Sequence, residues 1–370
     1  MPYRPKDIYR GRRKFRVPLN IFLFVLAALI FGGVAMFYIL QQYMVYDADG
    51  ATLQLPFGQE KEASVGDELL FTPEPTFEPL QVQVIWENPD FEDVDLGTWD
   101  DLSPMKGWFI SANTLQNAGD LEEAITIVQA GGFDTAVLEM KSRSGQLVWQ
   151  SASPTAVAYG TYGSTDVSAA IETLHGSGVR VAAQISCLAD ALMAQRNWTC
   201  ALQTGGSVYR DGDGIYWLDP YNRTVRTYLI ELASELATMG FDEIILADLY
   251  HPISDESFTY TVTLQAPADP IVAVCQAGRR VAEALEGSGV AVSARLNTAS
   301  LREGLSARSG QDLDIFWRLF ARLYCPTSAD MLVSDAELAA ADMNGGDENV
   351  RFVPVVGVAP EASESYLISG

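Results

Sequence analysis

Histidine and cysteine are scarce in this chain of 370 residues. There are two histidines, His175 and His251, and four cysteines, Cys187, Cys200, Cys275 and Cys325. No two cysteines form a C-x-x-C pair, so neither a zinc site nor any other resident metal or cofactor is expected. Cys187 and Cys200 could close a short loop as a disulfide in an oxidising exterior, or remain buried thiols. Basic residues are also few: 24 Lys and Arg stand against 48 Asp and Glu, a formal net charge of -24. Such a surface repels phosphate backbones, which argues against a nucleic-acid partner and suits a solvated domain that meets neutral or cationic material. No glycine-rich phosphate loop follows the first predicted strand, which argues against a dinucleotide-binding sheet.

What charge there is lies unevenly. Residues 1–16 hold Arg4, Lys6, Arg10, Arg12, Arg13, Lys14 and Arg16 against the single acid Asp7, leaving about -30 for the rest of the chain. The stretch 17–46 then carries no charge at all. It exceeds the roughly 20 apolar residues that cross a bilayer, so it reads as a transmembrane signal anchor contacting lipid. Basic residues before it keep the N-terminus cytoplasmic and put the C-terminal domain outside the cell membrane. Tyr43 and Tyr46 fit an aromatic belt at the outer interface. Residues 47–104 read as an extracellular linker with a short β segment, because the run from Phe71 to Pro79 is acidic and proline-bearing.

Residues 105–370 alternate short β-rich runs with amphipathic ones. Predicted strands are Gly107 to Ala112, Thr135 to Lys141, Arg180 to Ser186, Glu243 to Asp248, Ala291 to Asn297, Arg322 to Cys325, Arg351 to Val356 and Ser365 to Ser369. Helical stretches include Asp120 to Gly131, Asp166 to Ser177, Thr224 to Met239 and Pro270 to Gly287, several of them ending in glycine turns. This rhythm predicts an α/β fold, a (β/α)8 TIM barrel, with a doubly wound open sheet as the competitor.

In such barrels chemistry sits at the C-terminal strand ends, and side chains alternate faces with period two. Val137, Glu139 and Lys141 share a face, as do Gln184 and Ser186, and Ser293, Arg295 and Asn297. Glu139 and Lys141 could form an internal ion pair, or Glu139 could serve as a catalytic or sugar-gripping carboxylate. The predicted fourth strand ends in Asp248, followed by Tyr250 and His251. Trp217, Asp219 and Tyr221 stand in the loop before the preceding helix, and rings beside carboxylates suit sugars.

Gly107-Trp-Phe-Ile-Ser-Ala112, Ala136-Val-Leu-Glu-Met-Lys141 with Ser144-Gly145, Trp217-Leu-Asp-Pro-Tyr221 and Gly240-Phe-Asp-Glu-Ile244 followed by Pro252 resemble the bacterial putative glycosyl hydrolase domain family. The resemblance covers most of Met105 to Val356 and implies an amylase-like barrel of anchored or exported proteins that acts on carbohydrate. Glu139 stands where that family has an aspartate, while Lys141, Asp219, Pro220 and Tyr221 match. On the fourth strand the family aspartate falls on Ala247 and its tyrosine on Asp248. A one-residue shift reverses the face of a strand, so Asp248 replaces that carboxylate only if the strand is bulged or read in the other register.

The expected function is glycoside hydrolysis of a polysaccharide or cell-wall glycan. Asp248 and Glu139 are the candidate catalytic pair. Lys141, Gln184, Trp217, Asp219, Tyr221, Tyr250, His251, Arg295 and Tyr324 are the candidate substrate contacts. A catalytically inactive glycan-binding barrel and an anchored scaffold for protein contacts are the alternatives.

Overall fold

The computed structural model describes residues 44–47, 50–53, 102–262, 268–341, 343, 347–361 and 363–369. Two compact units divide the chain, residues 1–81 and 82–370. In the first, Met44–Asp47 pairs antiparallel with Gly50–Leu53. The short β segment expected here therefore begins earlier than expected, and residues 44–46, counted at the end of the membrane span, are strand. A residue pairing across a hairpin cannot also extend a helix. The remainder of the expected span, 17–43, and the proline-bearing linker run lie outside the described residues. Among the described residues no helix is long and apolar enough to cross a membrane.

Eight strands of the second unit close a barrel in chain order: β1 (Lys106–Ile110), β2 (Thr135–Lys141), β3 (Arg180–Ser186), β4 (Glu243–Ala247), β5 (Ala291–Arg295), β6 (Leu323–Pro326), β7 (Phe352–Val356) and β8 (Tyr366–Ile368). Every neighbouring pair is parallel, and β8 closes on β1 through Leu367 opposite Gly107. The open sheet is thereby excluded. A parallel barrel buries both faces of its strands, which explains why β2 has buried side chains on either side. Leu138 and Met140 pack outward against helices, whereas Val137 packs inside with Ala182, Ile245, Tyr324, Val353 and Leu367.

Helices between the strands start where side chains cap them. Asn117 accepts from the amides of Gly119 and Asp120 ahead of Ala118–Ala130. Asn222 does the same for Arg223–Thr238, and Asp269 for Pro270–Ala284 with proline in the first turn. Ser168–Gly176 lacks a side-chain cap. Gly240, with φ +96°, turns the long helix before β4 back towards the sheet. Among the described residues the β7–β8 connection has no helix, in keeping with its length of about nine residues.

Polar residues plug the N-terminal end of the barrel. Glu243 accepts from Arg322 at 3.1 Å and from the Tyr324 hydroxyl at 2.9 Å, and that hydroxyl also lies 3.2 Å from Met105 Sδ. Arg322 and Glu243 are fully buried, so the pair is held by hydrogen bonds on both partners rather than by water. All four cysteines are free and buried, so the Cys187–Cys200 disulfide is not formed.

Candidate active site

The C-terminal strand ends open into a cleft of about 390 Å3. β2 contributes Glu139 and Lys141, and Arg143 follows in its loop. β3 contributes Gln184 and Ser186, β4 Ala247 with Asp248 and Tyr250 beyond it, and β5 Arg295 with Asn297 next. Lining carboxylates, guanidinium groups, amides and hydroxyls in one concave space suit a ligand that offers many hydroxyls.

Ala247 faces the cleft, as period two requires from the inward-facing Ile245. Asp248 should then point outward. Instead the strand ends at Ala247, and Asp248 takes φ +51°, the one positive value outside glycine among the described residues. The left-handed turn swings its carboxylate back into the cleft, where Ser186 Oγ donates to Oδ2 at 2.7 Å. A register shift does occur, but on β2 between Glu139 and Lys141. Asp248 thus reaches the cleft by a turn rather than by a bulge.

Arg143 grips Asp248 from across the cleft. Its Nε donates to both carboxylate oxygens, at 3.0 and 3.1 Å, and Nη2 donates to Oδ1 at 2.6 Å. That carboxylate raises the Arg143 pKa, the hydrogen bond outweighing burial. The Ala112 amide donates to Glu139 Oε2 at 2.9 Å, and among the described residues Glu139 forms no ion pair. An internal Glu139–Lys141 pair is therefore not formed. Lys141, wholly buried, bonds Asp190 Oδ2 at 2.9 Å and also donates to the Ser186 carbonyl. It forms the cleft floor and braces the β3 loop. The bulge and the nearer Asp190 carboxylate account for the changed partner.

Gln311 ties this region together. Its side-chain amide donates to the carbonyls of Leu249 and Arg295, both at 3.1 Å, and its oxygen accepts from the Asn297 amide at 2.7 Å. Tyr250 rests on Trp217, with ring centroids 5.0 Å apart. Burial and the Asp248 charge push the Tyr250 hydroxyl pKa up.

Of the sequence-predicted site residues, Asp248, Glu139, Lys141, Gln184, Tyr250 and Arg295 meet at the cleft. The other five lie elsewhere. Trp217 is buried behind Tyr250 and donates to Asp211. Asp219 is buried and accepts from Tyr221 and Thr261, joining the β3 and β4 loops, and desolvation raises its pKa. The Tyr221 hydroxyl bonds the Asp269 backbone. His251 bonds the Pro252 carbonyl and the Tyr260 hydroxyl at 3.1 Å each, and burial lowers its pKa to about 4. Tyr324 belongs to the plug at the far end. Sequence reading missed Arg143, Asp190 and Gln311. The only available signal was that Arg143 follows the β2 motif directly.

The molecule is of the (β/α)8 class, with a polar cleft at the strand ends where barrel enzymes do their chemistry. Within that class the chain belongs to the putative glycosyl hydrolase domain family, whose family model matches residues 107–316. A hypothetical protein from Ruminiclostridium thermocellum is 24% identical, covering 50% of this chain and 96% of its own, with a TM-score of 0.46. The PgaB (BpsB) glycoside hydrolase domain from Bordetella bronchiseptica is 12% identical, covering 72% and 94%, with a TM-score of 0.53. That likeness is one of fold. The glycoside hydrolase domain of PelA from Pseudomonas aeruginosa is 14% identical, covering 69% and 84%, with a TM-score of 0.39. No curated protein matches the sequence.

Proposed function

We propose that this chain is a membrane-anchored extracellular glycoside hydrolase that cleaves a polysaccharide or cell-wall glycan through Asp248 and Glu139. The observation that carries this reading is the left-handed turn at Asp248, which returns a carboxylate to the cleft one residue after the family position holds alanine. The uncharged run over residues 17–43 behind a basic tail supports anchoring with the barrel outside.

The ion-paired Asp248 either attacks the anomeric carbon, forming a glycosyl ester that a water deprotonated by Glu139 then hydrolyses, or takes the proton of a water that attacks that carbon directly. Glu139 gives its proton to the leaving glycosidic oxygen as the carbon–oxygen bond breaks. Gln184, Asn297 and Ser186 bond sugar hydroxyls, and Tyr250 offers a ring face. The second reading is a glycan-binding barrel, favoured by Ala247 at the family aspartate and by Arg143 engaging both oxygens of Asp248.

The test incubates the full chain with bacterial and plant polysaccharides and measures released sugar ends. Release that Asp248→Asn and Glu139→Gln each abolish supports hydrolysis. Binding without release, unchanged by Asp248→Asn, sinks it and leaves the receptor.

A further inference from the structure

Three cations line the cleft among the described residues: Lys141, Arg143 and Arg295. Two are engaged, Lys141 with Asp190 and Arg143 with Asp248. Arg295 differs. Among the described residues its guanidinium forms neither an ion pair nor a hydrogen bond, although it is partly buried at the last position of β5. Neither cleft carboxylate pairs with it: Asp248 is held by Arg143 and Ser186, and Glu139 Oε2 takes the Ala112 amide.

A partly desolvated cation without a hydrogen-bonded partner loses hydration that is regained in full only when an anion arrives. Burial indeed lowers the Arg295 pKa, the nearby Asp248 charge offsetting this only in part. The backbone that carries it is held, because Gln311 bonds the Arg295 carbonyl and the nearby Asn297 amide. A planar fork of donors matches the two oxygens of a carboxylate.

We propose that Arg295 is the specificity-determining residue of the cleft and receives a carboxylate borne by the sugar, so that the polymer is an acidic, uronate-containing one. This rests on the cleft being the sugar site. The net charge of -24 does not oppose it at close range, since distant surface charges are screened beyond about 8 Å at physiological salt.

The test titrates the full chain by calorimetry, at physiological ionic strength, with oligogalacturonate, oligoglucuronate and mannuronate oligomers and with the carboxyl-reduced form of each. For at least one pair the acid should bind about tenfold tighter than its reduced form, as a charge-assisted contact provides. Arg295→Gln should bring that ratio to about one. Arg295→Lys, which keeps the charge but not the fork, should keep part of it and shows that the site tolerates substitution. Equal affinity within every pair, or a preference that survives Arg295→Gln, overturns the proposal while the sugar cleft stands. Binding of no oligomer in either form, or of neutral glycans either, overturns the cleft assignment and the proposal with it.

Discussion

Arg143 Nε lies 3.0 and 3.1 Å from the two carboxylate oxygens of Asp248, and its Nη2 lies 2.6 Å from Oδ1, so one side chain fixes the direction of the other. The two come from different loops, the first after β2 and the second after β4. Half of the Arg143 side chain is exposed, whereas Asp248 is 10% exposed. Removing Arg143 should therefore leave a nearly buried carboxylate with Ser186 as its remaining partner.

Arg143→Ala is expected to lower glycan turnover about ten- to a hundredfold, the loss of a charge-assisted hydrogen bond. The thermal midpoint should also fall, because breaking a pair whose carboxylate is nearly buried costs more than the roughly 1 kcal/mol of an exposed pair. Initial rates and melting curves on the same preparations check both. Unchanged turnover would mean that the Arg143 contact plays no part in the reaction.

The barrel was legible because its strands obey simple rules. Thr135–Lys141 and Arg180–Ser186 have the same bounds in sequence and structure, since β-rich runs between glycine turns leave no other reading. The predicted fourth strand overran by one residue, at Asp248, because backbone φ is set by the loop that follows and leaves no mark in the pattern. Partner choice was equally hidden. Lys141 could have faced Glu139 two positions away, and only the fold brings Asp190 to it. The aromatic and acidic motif from Trp217 to Tyr221 sits near the cleft in the chain, yet its groups face inward as loop supports. Chain proximity reports neighbourhood and says nothing of the direction in which a side chain points.

Lys141→Met should destabilise the protein by about 3–5 kcal/mol, since Asp190 then keeps a buried charge with no cation beside it. Adding Asp190→Asn should restore part of the loss, because the amide can still accept from the Met193 amide that Asp190 caps. Denaturant unfolding of the single and double variants measures the coupling. Additive losses would mean that the two groups do not interact.

Gly145→Ala tests the same support from the backbone side. Gly145 has φ +85°, and a Cβ there would lie 1.9 Å from Asp190 Oδ1. Strain at a left-handed position and displacement of the Lys141 partner both oppose the methyl group. A loss of about 2 kcal/mol or more is expected in denaturant unfolding. A variant as stable as the parent would show that this loop moves freely away from Asp190.

His251 should make the domain sensitive to acid. Burial holds its folded pKa at about 4, against 6.5 for an exposed imidazole. The neutral ring fits its site, with one nitrogen donating to the Pro252 carbonyl and the other accepting from the Tyr260 hydroxyl. Between these two values the unfolded chain binds a proton that the folded chain does not. Stability from this group is therefore complete above pH 6.5, falls as pH drops towards 4, and loses up to about 3 kcal/mol. His251→Gln, which keeps a polar group of similar length, should flatten that part of the profile. Thermal midpoints from pH 7.5 to 4 isolate the effect as the difference between parent and variant, since carboxylates titrate alike in both. Parallel curves would mean that His251 is protonated in the folded protein and that the Tyr260 contact is not the hydrogen bond described.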